Sequence, residues 1–128
     1  MTPRKNYRNI LQVIEMEKIV RQALLYDFYG ELLTEHQKRI YEDVVFNDMS
    51  LSEIAEEQGI SRQGVHDLIR RCDRLLSGYE EKLKLVDKFQ KTRKMVGEIK
   101  ELTKRFEETK DMALIGRIGQ ISQEIIEL

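Results

Sequence analysis

The residue types able to do chemistry are few and scattered. His36 and His66 have no cysteine or carboxylate constellation at metal-ligand spacing around them, so neither reads as a metal ligand. Cys72 is the single cysteine. No glycine-rich phosphate loop occurs. The adjacent pairs Glu80/Glu81 and Glu107/Glu108 fall on helical faces where solvent or i,i+4 partners accommodate them. No catalytic residue, metal site or cofactor is therefore expected. The residues that do form a chemical pattern lie in "SRQGVHDLIRRCDRLL", Ser61 to Leu76. There Arg62, Gln63, His66, Arg70 and Arg74, together with Ser61 and Asp67, remain after the inward-facing positions are removed. Arginine can bind guanine bidentately and glutamine can do the same for adenine, so Arg62 and Gln63 are suitable readers of base edges. The segment holds four arginines against two aspartates. The preceding segment, Leu51 to Gln58, carries three glutamates and no base. Phosphates normally lie beside the first helix of such a pair, so its acidity counts against tight DNA binding. A formal net charge of -1 for the whole chain points the same way, because unspecific affinity is mostly phosphate neutralisation.

The elements that must position these side chains form a helix-turn-helix. That motif needs a small residue where its helices touch, a turn residue that tolerates positive φ, and apolar residues that lock the pair together. Ala55, Gly59 and the set Ile54, Ile60, Val65 and Leu68 meet these needs. Upstream, "EKIVRQALLYDFYGELL" places Val20, Leu24, Phe28 and Leu32 at helical spacing, predicting a first helix over Glu17–Leu33. Thr34 with Gln37, and Ser50 with Glu53, are capping-box pairs. They predict helices from Glu35 to about Phe46, with Ile40, Val44 and Tyr41 inward, and from Leu51 to Gln58.

Ser61 caps a fourth helix with apolar positions Val65, Leu68 or Ile69, Cys72, Leu76, Tyr79, Leu83 and Val86. Its stripe keeps phase across Gly78, so the helix is expected to run to about residue 90. Val96, Ile99 and Phe106 predict a helix from about Thr92 to Glu108, and Asp111 can cap a last one. In that last helix Leu114, Ile118, Ile121, Ile125 and Leu128 alternate steps of four and three, a heptad seam. A second copy of the chain, giving a homodimer, or the chain's own helices would cover it.

Length and composition bound the rest. The chain has 128 residues, one proline, seven glycines, no tryptophan and 35% charged residues, the profile of an all-α protein. It is long enough for one domain with a core, or a small domain plus an extension. A lone cysteine suits a reducing compartment such as the cytoplasm. No apolar run approaches the ~20 residues a membrane helix needs, so no membrane insertion is expected. The N-terminal segment lacks the long apolar core and cleavage site of a secretory signal.

The stretch "LLTEHQKRIYEDVVFNDMSLSEIAEEQGISRQGVHDLIRRCDRLL" resembles the promoter-reading end of bacterial sigma factors. More closely, "DFYGELLT", "SLSEIAEEQGISRQGVHDLIRR" and "YEEKL" resemble signature segments of the YlxM family, which is associated with the signal recognition particle. The resemblance covers most of Asp27 to Leu83. It implies a sigma-like helix-turn-helix bundle without a wing, a helical C-terminal extension, and a regulatory role around the signal recognition particle, its protein or its RNA. Three regions are expected: an N-terminal extension over 1–15 that is dispensable, with Met16 as the natural start; a helix-turn-helix domain over 16–77; and a helical region over 78–128. Three functional readings follow. The chain is an accessory of the signal recognition particle pathway, a sequence-specific DNA-binding regulator, or a protein-interaction module. Arg62 and Gln63 favour the first two, and Glu53, Glu56 and Glu57 the third.

Overall fold

The computed structural model describes residues 3–128, with side chains from Met16 onward. Expectations about residues 1 to 15 therefore concern side chains outside the described ones. The described chain is all-α: α1 (Pro3–Tyr29), a 3-10 turn (Gly30–Leu32), α2 (Glu35–Val45), α3 (Leu51–Gln58), α4 (Arg62–Leu83), α5 (Leu85–Thr109) and α6 (Met112–Ile126). It divides into two units, Met1–Leu83 and Lys84–Leu128.

The helix starts follow from local hydrogen bonding. Thr34 Oγ1 accepts from the Gln37 N–H while the Gln37 side chain accepts from the Thr34 N–H, and Ser50 and Glu53 make the same reciprocal pair. Each box satisfies two backbone donors that a helix N-terminus otherwise leaves open. Ser61 Oγ accepts from the Gly64 N–H at 2.9 Å, and Asp111 caps α6 by accepting from the Ala113 N–H. At the end of α3, Gly59 adopts a left-handed φ of 67° and the Ile60 N–H reaches back to the Ala55 carbonyl at 3.1 Å. This is the glycine-terminated helix end that lets a second helix leave at a sharp angle.

In the first unit α4 is the common partner, packing against α1, α2 and α3. Its Val65, Ile69, Cys72 and Leu76 are buried among Leu25, Tyr29, Leu33, Ile40, Tyr41, Ile54 and Ala55. The expected α4 stripe thus holds to Leu76, with Ile69 rather than Leu68 innermost. Beyond it Glu80 is buried and Leu83 is exposed. Two buried tyrosines find carboxylates on α4. Tyr41 donates to Asp73 Oδ1 at 2.7 Å, and Tyr29 donates to Glu80 Oε1 at 2.6 Å. Among the described residues no buried side-chain nitrogen or oxygen lacks a partner.

The inward row is Gln22, Leu25 and Tyr29 on α1 and then Leu33 just beyond the 3-10 turn, rather than Val20, Leu24, Phe28 and Leu32; Val20 and Leu32 are each 58% exposed. The core accepts Gln22 and Tyr29 because their polar tips are hydrogen-bonded, so apolarity alone mislocates the face. Ile60, expected in the motif core, is 37% exposed, since the left-handed turn at Gly59 directs it to the rim. The fourth helix stops at Leu83 rather than near 90, where Lys84 takes a left-handed φ of 58°.

In the second unit α5 and α6 pack against each other. Met95, Ile99, Leu102 and Phe106 form the half-buried row on α5, replacing the exposed Val96 of the expected set. On α6, Ile121 is fully buried and Leu114, Ile118 and Ile125 are half-buried, as is Leu128 just beyond the helix end. The heptad seam is thus covered at its centre.

The core makes a prediction about alkali. Burial first, and then the hydrogen bond and charge of Asp73, push the Tyr41 hydroxyl well above its usual 10.0. Burial likewise pushes the Cys72 thiol from 9.0 to about 11. Both groups hold their protons in the folded chain at pH values where the unfolded chain loses them. Their contribution is therefore full below about pH 9 and falls as pH rises through 9 and 10 and beyond. The urea midpoint should drop between about pH 8 and about pH 11. Tyr41→Phe should show a shallower drop, and an unchanged wild-type midpoint would contradict the assignment.

Candidate nucleic-acid interface

A flank of α4 beside its buried row carries the charged side chains. Arg62, His66, Arg70 and Arg74 recur every fourth residue, so they form one row that winds along a flank of the helix. All four are exposed. Among the described residues neither Arg62, Arg70 nor Arg74 has a carboxylate within salt-bridge distance. His66 Nδ1 lies 3.9 Å from Asp67.

Gln63 sits beside this row, and its amide donates to Asp67 Oδ1 at 2.9 Å. The same group that would donate to adenine is thus held by Asp67, and reading a base requires that bond to open. Arg62 carries no such restraint.

Two open clefts meet on this face. One is lined by Leu51, Arg62, Gln63 and His66, at the start of α4. The other, of about 360 Å³, is lined by Lys18, His66, Arg70, Asp73 and Arg74. His66 lines both. By helix rise, Arg62 to Arg74 spans roughly 18 Å.

Lys18 of α1 escapes the sequence reading because it lies far from α4 in the chain. Its placement depends on a clamp one turn further along α1. The Gln22 amide donates to Asp73 Oδ1 and Oδ2 at 3.0 and 3.2 Å, tying α1 to α4 beside the cleft. Asp73 also accepts from Tyr41. Its carboxylate is therefore a structural acceptor, turned toward donors on α1 and α2. The only sequence signal for Lys18 is its i−4 relation to Gln22.

The acidic side chains of α3 occupy another exposed surface. Glu53 is engaged in the capping box, whereas Glu56 and Glu57 are exposed. His36 is exposed on α2 and Cys72 is buried. Among the described residues no group of three histidines, cysteines or carboxylates could hold a metal ion.

A short α3, a left-handed glycine turn and an α4 with one buried and one charged exposed face define a helix-turn-helix protein. The chain belongs to the UPF0122 family of YlxM / p13-like helix-turn-helix proteins, which matches residues 16–115. It is 41% identical over 102 residues to the UPF0122 protein YlxM of Bacillus subtilis, covering 80% of this chain and 93% of that protein. A UPF0122 protein of Acetivibrio thermocellus is 43% identical over 116 residues, 88% of this chain and 99% of the relative. Another from Caldanaerobacter subterraneus subsp. tengcongensis is 53% identical over 79 residues, 62% and 68% respectively. No helix among the described residues is long and apolar enough to cross a membrane.

Proposed function

We propose that the protein is a non-enzymatic nucleic-acid-binding accessory or regulator of the signal recognition particle pathway, and that it contacts nucleic acid through α4. The observation that carries the nucleic-acid part is the exposed row Arg62, His66, Arg70 and Arg74 on the second helix of the motif. In helix-turn-helix recognition that helix enters the major groove with its N-terminal residues at base edges. Arg62 and Gln63 occupy that end, and Arg70 and Arg74 lie where phosphates follow. The partner class, particle protein or RNA, rests on the family resemblance.

A protein-docking role without nucleic acid is the second reading, favoured by exposed Glu56 and Glu57 on α3. A sequence-specific DNA regulator would use the same row on α4. A pull-down from the native host, with and without nuclease, tests the proposal. Recovery of the particle only without nuclease is the expected result. Recovery in both arms assigns the contact to protein, and recovery in neither removes the particle as partner.

Self-association through the C-terminal unit is a further part of the proposal. Met112, Ile115 and Ile126 of α6 are 70%, 43% and 77% exposed, and by helical spacing they share one side of α6 next to the seam of Leu114, Ile118, Ile121 and Ile125, extending its apolar surface toward a second copy. Light scattering at high micromolar concentration should give a dimer mass. A monomer mass would remove this part and leave the interface on α4 unaffected.

A further inference from the structure

We infer that the phosphate backbone of a bound nucleic acid lies on the α1 flank of α4, in the cleft between Lys18 and the pair Arg70 and Arg74, and not along α3. This rests on the nucleic-acid reading above and says which side of the recognition helix the strand takes. In a helix-turn-helix complex the first helix of the motif ordinarily crosses the backbone. Here that helix is α3, whose charged residues are Glu53, Glu56 and Glu57, so a strand placed there meets like charge.

The opposite flank has the complementary chemistry. Lys18, Arg70 and Arg74 line one open cleft, with His66 at its junction with the second cleft beside Arg62 and Gln63. Three cations face one carboxylate, that of Asp73. This carboxylate already accepts hydrogen bonds from Gln22 and Tyr41, which partly offset its charge. The remaining positive charge suits phosphodiester groups, and the cleft is open enough to take them from a continuous strand. The Gln22–Asp73 clamp fixes α1 against α4, so the backbone of Lys18 is positioned before binding and only its side chain remains to be ordered. The strand would pass from base contacts at Arg62 and Gln63, past His66, to phosphates held by Arg70, Arg74 and Lys18.

The test is a set of anisotropy titrations at several salt concentrations, using a labelled mixed-sequence DNA duplex and labelled signal recognition particle RNA. The full-length protein is compared with Lys18→Ala, Lys18→Arg, Arg62→Ala and the double variant Glu56→Gln/Glu57→Gln. Lys18 is exposed, so circular dichroism should show an unchanged fold. The inference expects Lys18→Ala to weaken binding about three- to tenfold and to lower the salt slope by about one unit. Lys18→Arg should restore both, and the glutamine pair should change affinity less than twofold. Loss of affinity in Arg62→Ala with Lys18→Ala within twofold of wild type overturns the inference and leaves the nucleic-acid reading standing. Strengthening by the glutamine pair that exceeds the loss in Lys18→Ala places the backbone on α3 and also overturns it. Competition by inorganic phosphate at sub-millimolar concentration makes the cleft a small-anion site and overturns it too. Absence of binding by the wild-type protein removes both proposals.

Discussion

Ile54→Ala should lower the melting temperature of the first unit by about 10 °C or more, the largest stability effect expected of a single substitution in the motif. Ile54 is fully buried on α3 and lies next to Ala55, the small residue at the helix crossing. Removing three carbons from such a site costs the transfer free energy of the lost atoms plus a cavity term, together about 2–5 kcal/mol. For a unit of this size each kcal/mol corresponds to roughly 4–8 °C. The surroundings have little freedom to collapse, because α3 is fixed at one end by the Ser50–Glu53 box and at the other by the Gly59 turn. Thermal unfolding followed by circular dichroism checks the value. By contrast Ile60→Ala, at the exposed rim, should cost less than about 1 kcal/mol, since most of its surface is already in water. Equal losses for the two variants would show that Ile60 is as much a part of the motif core as Ile54.

Arg62→Ala, Arg70→Ala and Arg74→Ala combined should weaken nucleic-acid binding by about a hundredfold or more at low salt, the largest functional effect expected. Each arginine contributes either a base contact worth about 1–3 kcal/mol or a phosphate contact that releases a counterion. The triple variant should therefore also show a salt slope two to three units shallower. Because these side chains are exposed and have no carboxylate within salt-bridge distance among the described residues, the fold should survive their loss. The change in affinity then belongs to the interface. A triple variant that binds as tightly as the wild type at every salt concentration would place the contact elsewhere.

What was legible in the sequence is what local chemistry determines. Thr34, Ser50, Ser61 and Asp111 each announce a helix start, because the cap is made within three residues of the capping side chain. Gly59 announces the turn, since its left-handed φ is one that side-chain-bearing residues rarely adopt. The buried row of α4 is legible to Leu76 because it is both apolar and periodic.

What was not legible depends on distant partners. Apolar periodicity misses the inward face of α1 because Gln22 and Tyr29 are buried with polar tips satisfied by Asp73 and Glu80, residues some fifty positions away. The break at Lys84 has no glycine or proline to mark it, although Lys84 takes a conformation that favours glycine. The row on α4 could be listed from the sequence, yet Gln63's engagement by Asp67 could not. Lys18 was invisible because only the α1–α4 clamp brings it to Arg70 and Arg74.

The claim that the helix-turn-helix of this chain contacts nucleic acid through α4 is tested most directly by titrating full-length wild-type protein into labelled signal recognition particle RNA and, separately, a mixed-sequence DNA duplex at low salt. The account predicts saturable binding of at least one of them, weakening steeply as salt is raised. If neither binds, even at low salt, α4 presents a protein-docking face and its arginine row is not a nucleic-acid interface.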